Sequence, residues 1–509
     1  MKKLFAIIAV AALAAGVSVS CQKEEEFKNQ LVFDGEQYQF DGVEIEFHKE
    51  DGIRINPRLV QNSTMKELTI DFARSLVGSR VDLSAIDVYA EVIAEHFVHC
   101  IFIDYNDEST LQLTWGGGID TVLAEEGSYI LVQDFGGSNY QIDVYCKSQG
   151  HLLEFHYKGV CFEHNYSEDI SYGDPANCYV VTETGYYSLP TVKGNSNETV
   201  GEVASVEVLW ESFGNREKPQ AGDLISELSY NNGKIYFHAS ERKGNAVIAA
   251  KDAKGTILWS WHIWMTDKPR KQTYNNNAGI MMDRNLGATS ATPDDISSFG
   301  LLYQWGRKDP FPGAGELAVK IDWTDSMVET TGAWPDAVAS DATTGTIEYA
   351  LANPMTFILG NGNNRDWLYS EDGANDNSRW QSEKTIYDPC PAGWRIPDGG
   401  ENGIWAKALG STVQDWESEA WSTEESGVDL SETDKTLATG VSVWYPFEGL
   451  LYGSNGKMGG ASEIGGYWSV TTRSKYAYVF SASKRDKTIY NYLDGQRSHG
   501  CSVRCMKIE

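Results

Sequence analysis

The stretch Tyr387–Pro397, with the sequence YDPCPAGWRIP, tells most about the fold of this chain. It places Trp394 directly after a glycine, and Trp305 and Trp468 also lie in glycine-flanked turns. Glycine permits backbone dihedrals that other residues avoid, and a bulky ring can fill the core beneath such a turn. These stretches predict a loop-rich domain whose loops are held by packed aromatic side chains.

This stretch and four others resemble the Fibrobacter succinogenes major paralogous domain family. The five blocks occur in order along the chain and are Met282–Ala288, Gly300–Phe311, Tyr387–Pro397, Gly466–Ser469 and Arg497–Cys505. The preceding region looks like the leader that accompanies this domain in Bacteroides surface lipoproteins, through Ala176–Val180 and Gly244–Trp264. The resemblance therefore covers residues 170–509.

The resemblance implies a C-type-lectin-like fold for residues 269–509: an α+β module with a small twisted sheet, one or two helices and long loops. It also implies an extracellular lipoprotein that binds or adheres. The family has no shared catalytic residue, so we expect no enzymatic activity. A disulfide between Cys390 and Cys505 would close the C-terminus of the domain, and a Cys390–Cys501 pair is the open alternative.

Tryptophan usage changes along the chain and indicates a domain boundary. Of the 16 Trp residues, only Trp115 precedes residue 200. Residues 45–166 contain short alternating segments, such as Leu68–Phe72 and Gln141–Tyr145, separated by turns rich in Gly, Asn and Asp. This pattern predicts an N-terminal β-sandwich.

Residues 167–268 continue the β pattern and are predicted to be a β-rich leader region. Asn245–Ala250 and Thr256–Trp261 flank the short polar stretch Lys251–Gly255, which predicts a hairpin. The fold class predicted for the whole chain is mainly β, with the sandwich first and the loop-rich, lectin-like α+β module last.

The N-terminal residues have the pattern of a secretory signal. Lys2 and Lys3 precede the apolar run Leu4–Val17, and small residues lead to Cys21. The small residues before the cysteine resemble a bacterial lipobox, although Ser18 stands where Leu is usual. We expect residues 1–20 to be removed and Cys21 to be diacylated; the alternative is an ordinary secretory signal.

Residues 21–44 are predicted to be an acidic tether. The tether starts with Gln22–Glu26, which looks like the surface-export signal of Bacteroidetes lipoproteins. The alternative is a solvated spacer without export function. The predicted location is the outer membrane, lipid-anchored and exposed at the cell surface.

The charge balance excludes some partners. Asp and Glu number 72 against 42 Lys and Arg, and the formal net charge is −30. Such a chain repels phosphate backbones and anionic lipid headgroups, so nucleic acid is excluded as a partner. Its contact with the membrane would depend on the lipid at Cys21.

Two groups of residues are candidates for ligand binding. Aromatic rings in the variable loops could stack on sugar faces, and the candidates are Trp367, Trp380, Trp416, Trp421 and Trp444. Oxygen-rich turns over residues 363–377 suggest calcium as a cofactor, with Asp366, Asp372 and Asp376 as ligands. The spacing is not that of an EF-hand, and the alternative for these residues is a solvated turn.

The predicted function is adhesion to, or capture of, a glycan or a protein of a host or neighbouring cell. One alternative is a pilus-tip subunit that joins its neighbours by β-augmentation. A second alternative is a secreted polysaccharide hydrolase with paired carboxylates. The sequence has no nucleophile elbow, zinc-protease motif or Walker loop to favour catalysis.

Overall fold

A computed structural model describes most of the chain. The described residues are 28–48, 52–60, 66–85, 98–104, 109–115, 122–317, 325–409, 426–431 and 436–508. The predicted signal peptide 1–20, the predicted lipidation site Cys21, and Trp416 and Trp421 lie outside these residues. The chain divides into two units between Tyr166 and Ser167, which is where the sequence predicts that the β-sandwich ends.

The first unit consists of short strands that form two sheets. Its strands are β1 (Gln30–Phe33), β2 (Glu36–Tyr38), β3 (Phe40–Phe47), β4 (Gly52–Leu59), β5 (Lys66–Ala73), β6 (Arg80–Asp82), β7 (Val98–Asp104), β8 (Ser109–Trp115), β9 (Tyr129–Asp134), β10 (Asn139–Ser148), β11 (His151–Val160) and β12 (Phe162–Asn165). The strand orders are β2-β1-β11-β10-β9-β6 and β12-β3-β4-β5-β7-β8.

The two sheets share one apolar core, which makes the first unit a β-sandwich. Alternate side chains of β10 are buried, and those of β5 and β7 meet them from the other sheet. Phe33 of one sheet stacks on Phe102 of the other, with ring centroids 4.0 Å apart. Because successive side chains on a strand point to opposite faces, the alternating segments of the sequence predict this core directly.

The predicted tether over residues 21–44 is wrong for its second half. Strand β1 pairs with β11 from Gln30 to Phe33, and Leu31 and Phe33 are buried in the core. The acidic run ends at Glu26, and the alternating apolar residues after it belong to the sandwich. A tether can therefore include no residue after Asn29, because β1 begins at Gln30.

The second unit begins with a β-rich region and continues into the loop-rich one. Its strands are β13 (Glu168–Asp169), β14 (Cys178–Val181), β15 (Gly185–Pro190), β16 (Ser205–Ser212), β17 (Ile225–Asn231), β18 (Lys234–Ala239), β19 (Gly244–Lys251), β20 (Ile257–Met265), β21 (Lys271–Tyr274), β22 (Gly279–Met282), β23 (Leu301–Gln304), β24 (Phe311–Pro312), β25 (Trp394–Arg395), β26 (Gly427–Asp429), β27 (Trp444–Pro446), β28 (Glu448–Leu451), β29 (Met458–Ala461), β30 (Ile464–Arg473), β31 (Tyr476–Ser483), β32 (Thr488–Gln496), β33 (Gly500–Ser502) and β34 (Met506–Lys507). The described part of this unit contains two short α-helices, α1 (Ile347–Ala352) and α2 (Ile404–Leu409), and a 3₁₀ turn at Ile296–Ser298. The first unit contains a 3₁₀ turn at Arg74–Leu76.

The predicted boundary between residues 268 and 269 does not separate two units. Strands β19 and β20 form the predicted hairpin within the sheet β14-β20-β19-β16, and these two strands are buried on both faces. Ala246 and Ile248 face the core shared with β15 and β18, whereas Val247 faces the core that contains Trp305 and Trp468. The leader region therefore supplies one wall of the C-terminal core.

The largest sheet of the second unit has the order β24-β23-β33-β30-β31-β32, with β28 joined to β33 and β29 to β28. Two further small sheets are β21-β22-β34-β25 and β13-β15-β18-β17. The prediction of a mainly β chain is confirmed. Among the described residues, no helix has the length and apolar character needed to cross a bilayer.

Candidate functional site

A cleft of about 450 Å³ lies against five strands of the largest sheet, β28 and β30 to β33. We call it the sheet cleft. Its apolar lining comprises Leu450, Ile464, Val479 and Leu493. Its polar lining comprises Tyr476, Ser481, Asp494, Gln496 and His499. Apolar walls with a few convergent polar groups are typical of ligand-binding sites.

Strand pairing decides which residues of the lining have adjacent side chains. In the β31–β32 ladder, Val479 is paired with Leu493 and Tyr476 with Gln496. Directly opposed residues on neighbouring antiparallel strands have adjacent side chains. Val479 and Leu493 therefore share one face of the sheet and form the apolar wall of the cleft, whereas the side chains of Tyr476 and Gln496 lie on the opposite face.

Two glycines determine how deep the cleft is. A Cβ atom at Gly466 would lie 3.5 Å from Cys501 Sγ, which is an ordinary van der Waals contact, so the floor of the cleft has room for a methyl group there. A Cβ atom at Gly495 would lie 2.9 Å from the ring of Trp468 and 2.5 Å from a methyl group of Val479. Only glycine lets β32 pass this close to the buried indole.

The rim of the sheet cleft carries an ion pair. Arg473 Nη1 lies 3.4 Å from Asp494 Oδ2, and the side chains are 63% and 33% exposed. The β30–β31 turn that holds Arg473 is itself fixed by the buried guanidinium of Arg497, whose Nη2 donates to the carbonyl of Ser474 at 3.0 Å. The buried Arg497 side chain therefore helps to fix the position of the Arg473–Asp494 ion pair.

His499 contributes an uncharged imidazole to the cleft. Its Nδ1 accepts a hydrogen bond from the Gly453 N–H at 2.9 Å, and its ring packs edge-on against Tyr452. Burial lowers the pKa of His499 to about 4. At neutral pH the group is therefore neutral.

A buried carboxyl group lies beneath the floor. Glu448 is fully buried, and it accepts hydrogen bonds from the Gly466 N–H at 3.0 Å and the Tyr467 hydroxyl at 2.8 Å. Burial raises the pKa of Glu448 to about 8, against the opposing effect of these hydrogen bonds. Burial also raises the pKa of the adjacent Cys501 thiol, so neither group carries a full charge at neutral pH.

The tryptophans predicted to bind ligand are core residues where the structure describes them. Trp367, Trp380 and Trp444 are at most 4% exposed. The indole N–H of Trp367 donates to the carbonyl of Trp305, and that of Trp380 donates to the carbonyl of Tyr387, both at 2.8 Å. Because their rings are buried inside the fold, they form no stacking platform.

The predicted calcium ligands do not form a metal site. The Asp366 carboxylate is buried and paired with the guanidinium of Arg379, and Arg497 lies 3.6 Å away. Asp372 and Asp376 accept hydrogen bonds from Ala374 and Ser378 in local turns. The described residues contain no group of three or more potential metal ligands. The prediction of calcium at Asp366 is wrong, because arginine supplies the positive charge at this carboxylate.

Cys390 and Cys505 form a disulfide, with Cα atoms 6.0 Å apart. Cys501, the alternative partner, is a buried free thiol. The bond joins the YDPCPAGWRIP stretch to the chain just before β34.

The residues of the sheet cleft were not among the sequence candidates. Leu493, Asp494 and Gln496 lie in a strand, where polar and apolar residues also alternate in ordinary half-buried sheets. One available signal was Leu493, an apolar residue in a polar run just before Asp494. The exposed fraction of its side chain, 44%, becomes evident only in the fold.

Comparisons with known proteins do not identify a family for this chain. No model of a known protein family matches the chain, and no curated protein matches it. Among solved structures, the chain is weakly similar to the crystal structure of the N-terminal eight Ig domains of Down Syndrome Cell Adhesion Molecule (DSCAM) isoform 1.30.30. The identity is 11% and the TM-score 0.12, over 48% of this chain and 46% of that chain, less than half of either.

Proposed function

We propose that this chain is a surface lipoprotein of the Fibrobacter succinogenes major paralogous domain type that binds an extracellular ligand and does not catalyse a reaction. The sheet cleft is the observation that supports binding. Its volume of about 450 Å³ is in the range of ligand sites, and its walls are fixed by paired strands. The order of the five sequence blocks supports the family.

Binding is tested with the full chain on an array of purified oligosaccharides and extracellular proteins. We expect the Leu493→Asp variant to lose the ligand, because it places a charge in the apolar wall. Val441→Asp is the matched control, since Val441 is equally exposed but lies outside the cleft lining. Equal binding by both variants would place the ligand elsewhere and contradict the proposal.

Anchoring is a separate part of the proposal. Cells that express the chain and are fed labelled palmitate should incorporate the label into the wild type and not into Cys21→Ala. The wild type should also sediment with membranes and be accessible to protease on intact cells. Label in the variant, or none in the wild type, would contradict lipidation at Cys21.

A further inference from the structure

We propose that the first unit contacts a lipid bilayer with one end of its sandwich, where exposed apolar side chains insert among the lipid headgroups. The inference rests on the proposed lipid anchor at Cys21 and adds a second contact between the protein and the membrane. The end in question is the one at which β1 begins, and we call it the β1 end. The argument uses its exposed side chains, the entry point of the chain and the length of the tether.

Exposed apolar side chains collect at the β1 end. Among the described residues of the first unit, the large apolar side chains that are well exposed are Val60 (49%), Phe135 (59%), Val160 (66%) and Tyr166 (52%). Single exposed apolar residues are normal on a protein surface, so their location decides what they mean. Three of these four, Val60, Phe135 and Val160, lie at the β1 end.

Strand pairing places Phe135 and Val160 on one face of the same sheet. Val160 is paired with Asn139, and the Phe135 N–H donates to the Asn139 carbonyl at 2.9 Å, so the three residues form the last row of the sheet. Val132 and Tyr157, three residues before Phe135 and Val160, point into the core. Because side chains alternate along a strand, Phe135 and Val160 both point outward.

Lys158 extends this outward patch. It precedes Val160 by two residues on β11, and its Nζ lies 5.6 Å from the centroid of the Phe135 ring. A lysine lays its apolar stem along such a surface and keeps its ammonium group in the polar layer. An aromatic ring beside a lysine therefore suits the boundary between headgroups and acyl chains.

Val60 brings the second sheet to the same end. Its N–H donates to the carbonyl of Gln39 at 2.8 Å. Gln39 directly follows Tyr38, which is paired with Leu31 near the start of β1. The chain passes from one sheet to the other at Gln39, so the β1 end presents apolar side chains from both sheets.

The chain also enters the first unit at this end. The Asn29 side chain accepts the Lys158 N–H at 2.8 Å, and Gln30 is paired with His156. Cys21 precedes Asn29 by eight residues, and an extended chain covers at most about 3.6 Å per residue, so the anchor lies within about 29 Å of the β1 end. The ten residues of β10 span about 34 Å. The tether is therefore too short for the unit to turn over and stand on its opposite end.

The chain leaves the first unit at that opposite end. The Tyr166 N–H donates to the carbonyl of Phe47 at 2.9 Å. Phe47 is the last residue of β3, and Phe40, the first, follows Gln39 at the β1 end. The exposed Tyr166 side chain is therefore held away from the bilayer and serves as an internal reference.

Charge does not drive this contact. At the β1 end, Arg58 Nε lies 3.1 Å from Asp41 Oδ1, so cationic and anionic groups are mixed. The net charge of −30 opposes approach to anionic lipids, whereas the insertion of apolar side chains between zwitterionic lipids is insensitive to it. A short tether keeps the local concentration of lipid high, so a small apolar contact is sufficient. The partner surface is therefore a zwitterionic bilayer.

The test uses the full lipidated chain in phosphatidylcholine vesicles, with an environment-sensitive fluorophore on one introduced cysteine. The free cysteines of the described residues are buried, so the label is selective. Labels on Val60→Cys, Phe135→Cys and Val160→Cys should have blue-shifted emission and be quenched by nitroxide-labelled lipids. Tyr166→Cys is the matched control, similarly exposed at the opposite end, and its label should show neither effect.

Removing apolar side chains should break the contact and keep the anchor. In Phe135→Ser with Val160→Ser, the label on Val60→Cys should lose its blue shift, while labelled palmitate is still incorporated. Labels at the β1 end that behave like the label on Tyr166→Cys would overturn the inference and leave the anchor intact. A wild type without palmitate would overturn both.

Contact between two copies of the chain is a further outcome that the fluorophore detects. A blue shift in the Cys21→Ala background without vesicles, growing with protein concentration, would assign the β1 end to such a contact and overturn the membrane proposal.

Discussion

At the scale of single residues, the fold alters the acid–base chemistry of Glu448. Its carboxyl group is buried below the sheet cleft, between the main chain of Gly466 and the hydroxyl of Tyr467. Its pKa of about 8 means that the folded chain keeps a proton there that the unfolded chain releases. Folding and proton binding are therefore linked at this residue.

The linkage predicts how stability depends on pH. Because the folded pKa lies above the unfolded one, the contribution of Glu448 is complete below about pH 4.5 and is lost as pH rises to about 8. Urea unfolding across this range should show a free energy of unfolding that falls with pH, with a shallower fall in Glu448→Gln. The exposed Glu401→Gln should keep the wild-type slope. An unchanged slope in Glu448→Gln would contradict the prediction.

Two glycines of the cleft should respond differently to one added methyl group. In Gly495→Ala the new Cβ meets Trp468 and Val479 at 2.9 and 2.5 Å, so we expect a loss of about 1–3 kcal/mol from overpacking. In Gly466→Ala the nearest atom is 3.5 Å away, and the change should stay within about 1 kcal/mol. Chemical denaturation of both variants measures the difference, and equal losses would count against it.

At the scale of elements, the loop that carries Asp366 is held by arginine. The guanidinium groups of Arg379 and Arg497 are fully buried, and both also lie over the ring of Trp305. Residues 363–377, which resemble a cation-binding turn in sequence, are thus fixed without a cation. The arginines come from distant positions, and so the sequence pattern of the turn could not reveal them.

Removing this carboxylate should be costly. Asp366→Asn leaves two buried cations without their counter-charge, and we expect a loss of about 3–5 kcal/mol. Asp372→Asn, at an exposed turn position, should change stability by less than about 0.5 kcal/mol. Thermal unfolding of the wild type should be the same in calcium and in EDTA. A calcium-dependent melting temperature that is lost in Asp372→Asn would support a metal site after all.

The elements differ in how well the sequence predicts them. The hairpin of β19 and β20 was predictable, because a polar turn separates two apolar runs. Strand β1 was missed because only Leu31 and Phe33 show its alternation beside an acidic segment. The role of Trp367 and Trp380 could not be predicted, since buried and ligand-facing rings have the same sequence pattern. The sheet cleft depends on strand pairing between distant residues, which one sequence does not contain.

At the scale of the whole molecule, the two units should unfold separately. Trp115 is the one tryptophan of the 16 that precedes residue 200, so tryptophan fluorescence reports almost entirely on the second unit. The disulfide Cys390–Cys505 closes a loop with a sequence separation of 115 within that unit. A long cross-linked loop restricts the unfolded chain and so stabilises the fold.

Replacing both cysteines, Cys390→Ala with Cys505→Ala, should lower the stability of the second unit by roughly 2–5 kcal/mol. The loss should appear as a shift of the fluorescence transition in urea. Cys100→Ala, in the first unit, should leave this transition in place. A shift of equal size in Cys100→Ala would show that the two units unfold as one.

The position of β33 has a consequence for the timing of folding. This strand lies between β23 and β30 inside the largest sheet, and β34 lies between β22 and β25. While residues 500–507 are still within the ribosome, both sheets have an empty slot and Cys390 has no partner. The second unit can therefore close only after translation has passed these strands.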